Sequence, residues 1–125
     1  MSDSPLRCTV GQVGQLTAEV TEADTAQALG SGDLQVLGTP RLLAWLERAT
    51  CLAVEGCVDS DWTTVGAHVE VDHLAPSQIG DTIDCRAEIS AIDGRRLTFQ
   101  VTAHSEQALI ARGSVLRVAI RYPSA

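Results

Sequence analysis

The chain contains no lysine: its basic residues are nine arginines, set against 16 acids, for a net charge of −7 over 125 residues. That balance leaves no dense basic face of the kind that holds a phosphate backbone, so a nucleic-acid partner is not expected. A membrane partner is equally unexpected, because MSDSPLRCTVGQ has no apolar run behind a basic start and no later stretch approaches the length of a span. The four cysteines, Cys8, Cys51, Cys57 and Cys85, form no CxxC pair and share no ligand spacing with the three histidines. No metal site and no resident cofactor are therefore expected. Each cysteine reads as a small core hydrophobe in a reduced, cytoplasmic setting. Repeats, low-complexity tracts and linkers are also missing, so 1–125 reads as one domain with 1–7 and 122–125 as loose ends.

What is present is organised around Gly38–Gly56, GTPRLLAWLERATCLAVEG. Thr39 reads as N-cap, Pro40 fits the first helical position, and Gly56 closes the far end of one long helix. At 100° per residue, Arg41, Arg48 and Glu55 form a narrow polar stripe, while leucines, alanines, Trp45 and Val54 cover most of the remaining surface. Glu47 falls outside that stripe, among apolar neighbours, where a lone carboxylate is expensive to desolvate.

Ahead of the helix, Leu16, Ala18 and Val20 alternate with polar residues as in a strand, and TEADTAQALGSGD reads as a capped turn and a mobile connection or lid. Beyond it, alternation runs almost to the end. Val65, Ala67, Val69, Val71 and His73 share one face; Ile83, Cys85, Ala87, Ile89 and Ala91 share another. Asp93-Gly94 signals a hairpin, and Leu97, Phe99, Val101 and Ala103 follow in phase. A last strand, about Ala108 to Ile120, is apolar on both sides. Strand, long helix, then four antiparallel strands in a meander predict an α+β domain of hotdog type, one central helix wrapped by a curved sheet of about five strands. A helix apolar over so much of its surface needs more cover than one small sheet supplies, so a homodimer is expected.

Two polar residues intrude on these apolar faces. His73 is in phase with the strand's helix-facing residues and Glu47 faces the sheet, so the two can satisfy one another, either as a structural ion pair or as an oriented general base. Thr39 is an N-cap, or a hydroxyl at a helix start available to a carbonyl. Eight helical residues separate Thr39 from Glu47 by about 12 Å, too far to meet within one chain, so a site using both is shared across a dimer. Gly66 allows close approach of a ligand to the backbone, or a bulge that curves the sheet.

These residues stand in recognisable company. Thr39 in VLGTP, Glu47 in AWLERA, and the segments TVGAHVEVDHLAPSQIGDT, AIDGRRLTFQVTAH and ARGSVLRVAI resemble the fluoroacetyl-CoA thioesterase-like branch of the hotdog superfamily, over roughly residues 8 to 121. The resemblance implies hydrolysis of an acyl-CoA thioester by a homodimer, with Thr39, Glu47 and His73 at the catalytic positions and Gly66 lining the acyl pocket. CoA then enters as part of the substrate, and an acyl carrier protein could replace it. SGDLQVL, ahead of Thr39, has no aromatic residue where specialised members lid the pocket with Phe, so a short or medium acyl group is expected rather than fluoroacetyl. The phosphates of CoA need arginines here, and Arg95, Arg96 and Arg117 are the candidates. The alternative is a non-catalytic acyl-CoA or small-ligand binding protein that keeps the same pocket.

Overall fold

A computed structural model describes residues 4–123. It contains β1 (Val13–Glu19), α1 (Ala26–Leu29), α2 (Thr39–Ala53), β2 (Trp62–His73), β3 (Thr82–Asp93), β4 (Arg96–His104) and β5 (Leu109–Arg121), with a 3-10 turn at Glu22–Asp24 before α1. One antiparallel sheet, ordered β1-β3-β4-β5-β2, curls around α2 in the hotdog arrangement. Three strands form a meander, β3 to β5, but β2 does not pair with β3 as the alternation alone implied. It adds to the far side of β5, which makes β5 an interior strand, in keeping with the two apolar faces the sequence displayed.

The core lies between α2 and the sheet. Leu42, Leu46, Ala49 and Ala53 are buried at helical spacing, against Ile83, Cys85, Ala87 and Ile89 of β3 and Leu97, Phe99, Val101 and Ala103 of β4. These eight strand residues were in the expected phase; Ala91, expected on the same face of β3, follows a register shift after Ile89 and is exposed. Helix and sheet approach closely at Gly14, where a Cβ would collide with the backbone of Ala49 and Ala53. That contact lets β1 lie flat under the helix.

Strand β2 departs from the expected pattern. Its pairing with β5 shifts register between Gly66 and His68, so Ala67 is an extra residue in a bulge. The shift reverses the alternation: Thr64 and Gly66, opposite Ala119 and Arg117, face the helix before the bulge, and Val69, Val71 and His73, opposite Val115, Gly113 and Ala111, face it afterwards. Val65, placed by simple alternation on the helix side, is instead 41% exposed.

The helix starts differently from the expectation. Gly38 is the N-cap and Thr39 the first helical residue, since the Gly38 N–H donates to the carbonyl of Asp24 and its carbonyl receives Leu42. The threonine hydroxyl is thereby released from capping. Gly56 takes a positive φ of 83° just past the helix end.

Two cysteines also depart from it. Cys8 and Cys57 are joined by a disulfide, while Cys51 and Cys85 are free. The segment before β1 crosses the end of α2, where Leu6 bridges Val58, the Arg7 N–H donates to the Cys57 carbonyl at 2.7 Å, and Arg7 pairs with Asp59. Residues 4–7 are thus anchored, and Tyr122 is held through its N–H to the Asp61 carbonyl; residues 1–3, 124 and 125 of the expected loose ends lie outside the described residues. A bond spanning 49 residues is invisible to spacing rules that look for CxxC, and it removes the cysteine argument for a reducing compartment. Burial pushes the Cys85 thiol up to about 12, which leaves it an inert core group. Reduction should lower the unfolding free energy by about 2–4 kcal/mol, the usual worth of a cross-link closing a loop of this size. Urea unfolding with and without reductant checks this, and superimposable curves would contradict it.

Candidate active site

The site begins at the junction of α2 and the end of β2. The Thr39 Oγ1 lies 2.7 Å from His73 Nδ1, a hydrogen bond between the first residue of the helix and the last of the strand. The backbone around Thr39 is stitched in place. Asp24 accepts from the Thr21 N–H at 2.8 Å and pairs with Arg41 of α2 at 2.9 Å; the Leu37 N–H donates to the Ser77 carbonyl, and Val36 bridges Gln78. The segment expected as a lid is therefore stitched to both the helix start and the loop after β2.

His73 is held below its ordinary pKa of 6.5, chiefly because burial disfavours the charged ring, with a backbone contact at Ala75 pulling the other way. Its Nε2 is buried and has no full hydrogen-bond partner among the described residues. With the ring proton on Nε2, Nδ1 accepts the Thr39 hydroxyl; with it on Nδ1, the ring donates to the Thr39 oxygen instead. The pair opens on a cleft of about 320 Å³ walled by Ala26, Val36, Leu37, Leu74 and Ala75. Pro76 and the polar Ser31 complete its lining.

Glu47 lies elsewhere. Within the chain it does not pair with His73; its Oε2 stands 3.6 Å from Arg117 Nη1, over Gly66, in the space that a side chain at 66 would need. Arg117 is buried, and its Nε and Nη2 donate to the Thr64 hydroxyl at 2.9 Å and the Thr64 carbonyl at 3.0 Å. Two anchored nitrogens fix the guanidinium plane, and the third is turned to Glu47. Arg117 is thus committed inside the fold rather than free for a phosphate. Thr64 was missed because the bulge that turns it inward leaves no mark in the alternation.

The candidate residues therefore form two groups, Thr39 with His73 and Glu47 with Gly66 and Arg117, set apart along α2 and β2. Arg95 and Arg96 are exposed at the β3–β4 turn, beyond the start of β2 and far from His73. Among the described residues no cluster of His, Cys, Asp or Glu is placed to hold a metal, and no helix is long and apolar enough to cross a membrane.

Comparison with known proteins supplies the context. The sequence profile of the fluoroacetyl-CoA-specific thioesterase family matches residues 20–122. A solved fluoroacetyl-CoA thioesterase superposes with a TM-score of 0.85 at 24% identity, over 90% of this chain and 88% of that one. A hot-dog-like protein from Thermanaerovibrio acidaminovorans gives 0.84 at 20%, over 92% and 85% of the two chains. A thioesterase superfamily member from Thermus thermophilus gives 0.84 at 23%, over 90% and 84%. No curated protein sequence is similar enough to count as a match.

Because burial lowers the folded-state pKa of His73, the unfolded chain binds this proton more readily. The stability that the neutral ring contributes is fully present above pH 6.5 and is lost as pH falls through the lowered folded value. An NMR titration of the His73 ring should give a midpoint below 6.5, and a midpoint above it would remove the neutral acceptor from the site.

Proposed function

Since the chain belongs to the fluoroacetyl-CoA-specific thioesterase family of thioester hydrolases, we propose that it hydrolyses a short or medium acyl-CoA at a site built from two copies of the chain. The observation that carries this reading is the 2.7 Å contact between Thr39 and a neutral His73 at the mouth of an aliphatic cleft. A neutral imidazole that accepts a hydroxyl proton is the arrangement that general-base chemistry requires.

In the proposed reaction the thioester carbonyl lies at the start of α2, where the helix dipole favours developing negative charge. His73 takes a proton from Thr39 or from a water held in its place, the oxygen so activated attacks the carbonyl carbon, and the C–S bond breaks to release CoA thiolate, which is then protonated. Attack by water gives the free acid directly; attack by Thr39 gives an ester that a second water cleaves. Glu47 serves from the partner subunit by ordering that water or by stabilising the charged imidazole.

Geometry supports the shared site. Strand β2 is twelve residues long and lies at a sheet edge, with Val65, Gly66, Ala67 and His68 exposed in the isolated chain. Long apolar edges are normally covered. Antiparallel pairing of β2 with its two-fold copy would set the Gly66 end of one strand beside the His73 end of the other, joining Glu47 to Thr39 and His73. The cleft walls, free of aromatic side chains, suit a short or medium aliphatic acyl group better than a fluorinated two-carbon one.

Thiol release from acetyl, medium-chain and aryl-acetyl CoA esters should identify the preferred acyl group. His73→Ala should lower kcat by about 10²–10⁴-fold with the dimer still folded, and Thr39→Ala and Glu47→Gln should each reduce turnover. No turnover of any ester, with CoA still raising Tm, would instead make the protein a binding module.

A further inference from the structure

A second cleft lies between the end of α2 and the start of β2, and Thr64, which anchors Arg117 of the Glu47 group, lines it. It holds about 220 Å³, with Cys51, Val54 and Glu55 of the α2 end on one side and Trp62, Thr64 and Tyr122 on the other. Its course follows from register. Cys51 and Glu55 lie one and two turns beyond Glu47, and Thr64 and Trp62 lie two and four residues before Gly66 on the same face of β2. From Gly66 to Trp62 is about 13 Å along the strand.

At its far end two guanidinium groups converge on one ring. Arg95, from the β3–β4 turn, lies 5.8 Å from the Trp62 ring centroid, and Arg121, from the end of β5, lies 5.1 Å from it. Both arginines are exposed, and among the described residues neither forms an ion pair with a carboxylate, although the chain as a whole carries −7. Bringing two guanidinium groups that have no ion-pair partner to one ring, in an acidic protein, favours a bound anion with several oxygens. Glu55, the acid in the lining of the cleft, stands on its helix side.

We propose that Trp62, Arg95 and Arg121 form the binding site for the phosphorylated nucleotide end of the substrate, and that the 220 Å³ cleft carries the pantetheine arm from there to Glu47 and Gly66. The proposal rests on the thioesterase reading for the identity of the ligand. It replaces the buried Arg117 with Arg121 among the phosphate-binding candidates and keeps Arg95. A thioester carbonyl near Gly66 and phosphates at Trp62 stand at a separation that an extended pantetheine arm covers.

The test compares acyl-CoA with the matching acyl-pantetheine, which lacks the nucleotide, and follows CoA binding by calorimetry in the dimeric protein. The double variant Arg95→Ala/Arg121→Ala should lower the ratio of kcat/KM for acyl-CoA to that for acyl-pantetheine by tenfold or more and weaken CoA binding to a similar extent. Arg86→Ala, which removes a charge on β3 far from the cleft, should leave the ratio unchanged. The dephospho-CoA ester then separates the 3′-phosphate from the diphosphate: equal sensitivity to the double variant assigns the arginines to the diphosphate. An unchanged ratio, or equal losses on both esters, would overturn the proposal. Arginine-dependent CoA binding without turnover of any ester would uphold this site and sink the thioesterase reading instead.

Discussion

One inserted residue in β2 governs the arrangement of polar groups on the helix side of the sheet. Without the bulge at Ala67, strict alternation would place Gly66 and His73 on opposite faces, since they are seven residues apart. With it, both face α2. The middle of the strand, at Gly66, meets the carboxylate of Glu47, and its last residue, His73, meets the hydroxyl of Thr39. The same bulge leaves Ala67 and its exposed neighbours on a free edge, the edge that a second copy would cover in the proposed dimer.

The two polar groups are built on different principles. At the helix start, a glycine cap frees the threonine hydroxyl, and burial keeps the histidine neutral, so the pair is a poised donor and acceptor. At mid-helix, Thr64 anchors a buried arginine that in turn faces a half-exposed carboxylate, so charge is balanced and direction is fixed. A buried guanidinium needs such partners, because its desolvation would otherwise oppose folding. Neither group alone supplies a nucleophile, a base and a carboxylate around one carbonyl; together, across a two-fold axis, they would.

Much of this was legible in the sequence. The long apolar helix, the inward phases of β1, of β3 as far as Ile89 and of β4, and the intrusion of Glu47 and His73 on apolar faces followed from periodicity, because buried faces impose their period directly. Three things did not follow. Strand order is set by which edge is free once the chain has crossed the sheet, and local alternation carries no trace of it, so β2 went to the wrong neighbour. A bulge reads as continuous alternation when the inserted residue is as small and apolar as Ala67. Side-chain partners depend on three-dimensional distance, so periodicity did not show that Glu47 has Arg117 as its partner within the chain, and the pairing of Cys8 with Cys57 went unseen. The family resemblance selected Thr39 where capping rules alone pointed to a structural role.

The central claim is that Thr39 and His73 of one chain work with Glu47 of the other. Mixing Thr39→Ala chains with Glu47→Gln chains, after dissociation and reassembly, tests it most directly. A shared site predicts that the mixture recovers roughly a quarter of wild-type turnover, because half the dimers are mixed and each of those holds one intact site. If the mixture stays as inactive as its components while mass measurement shows mixed dimers, each chain must work alone, and the shared site is contradicted.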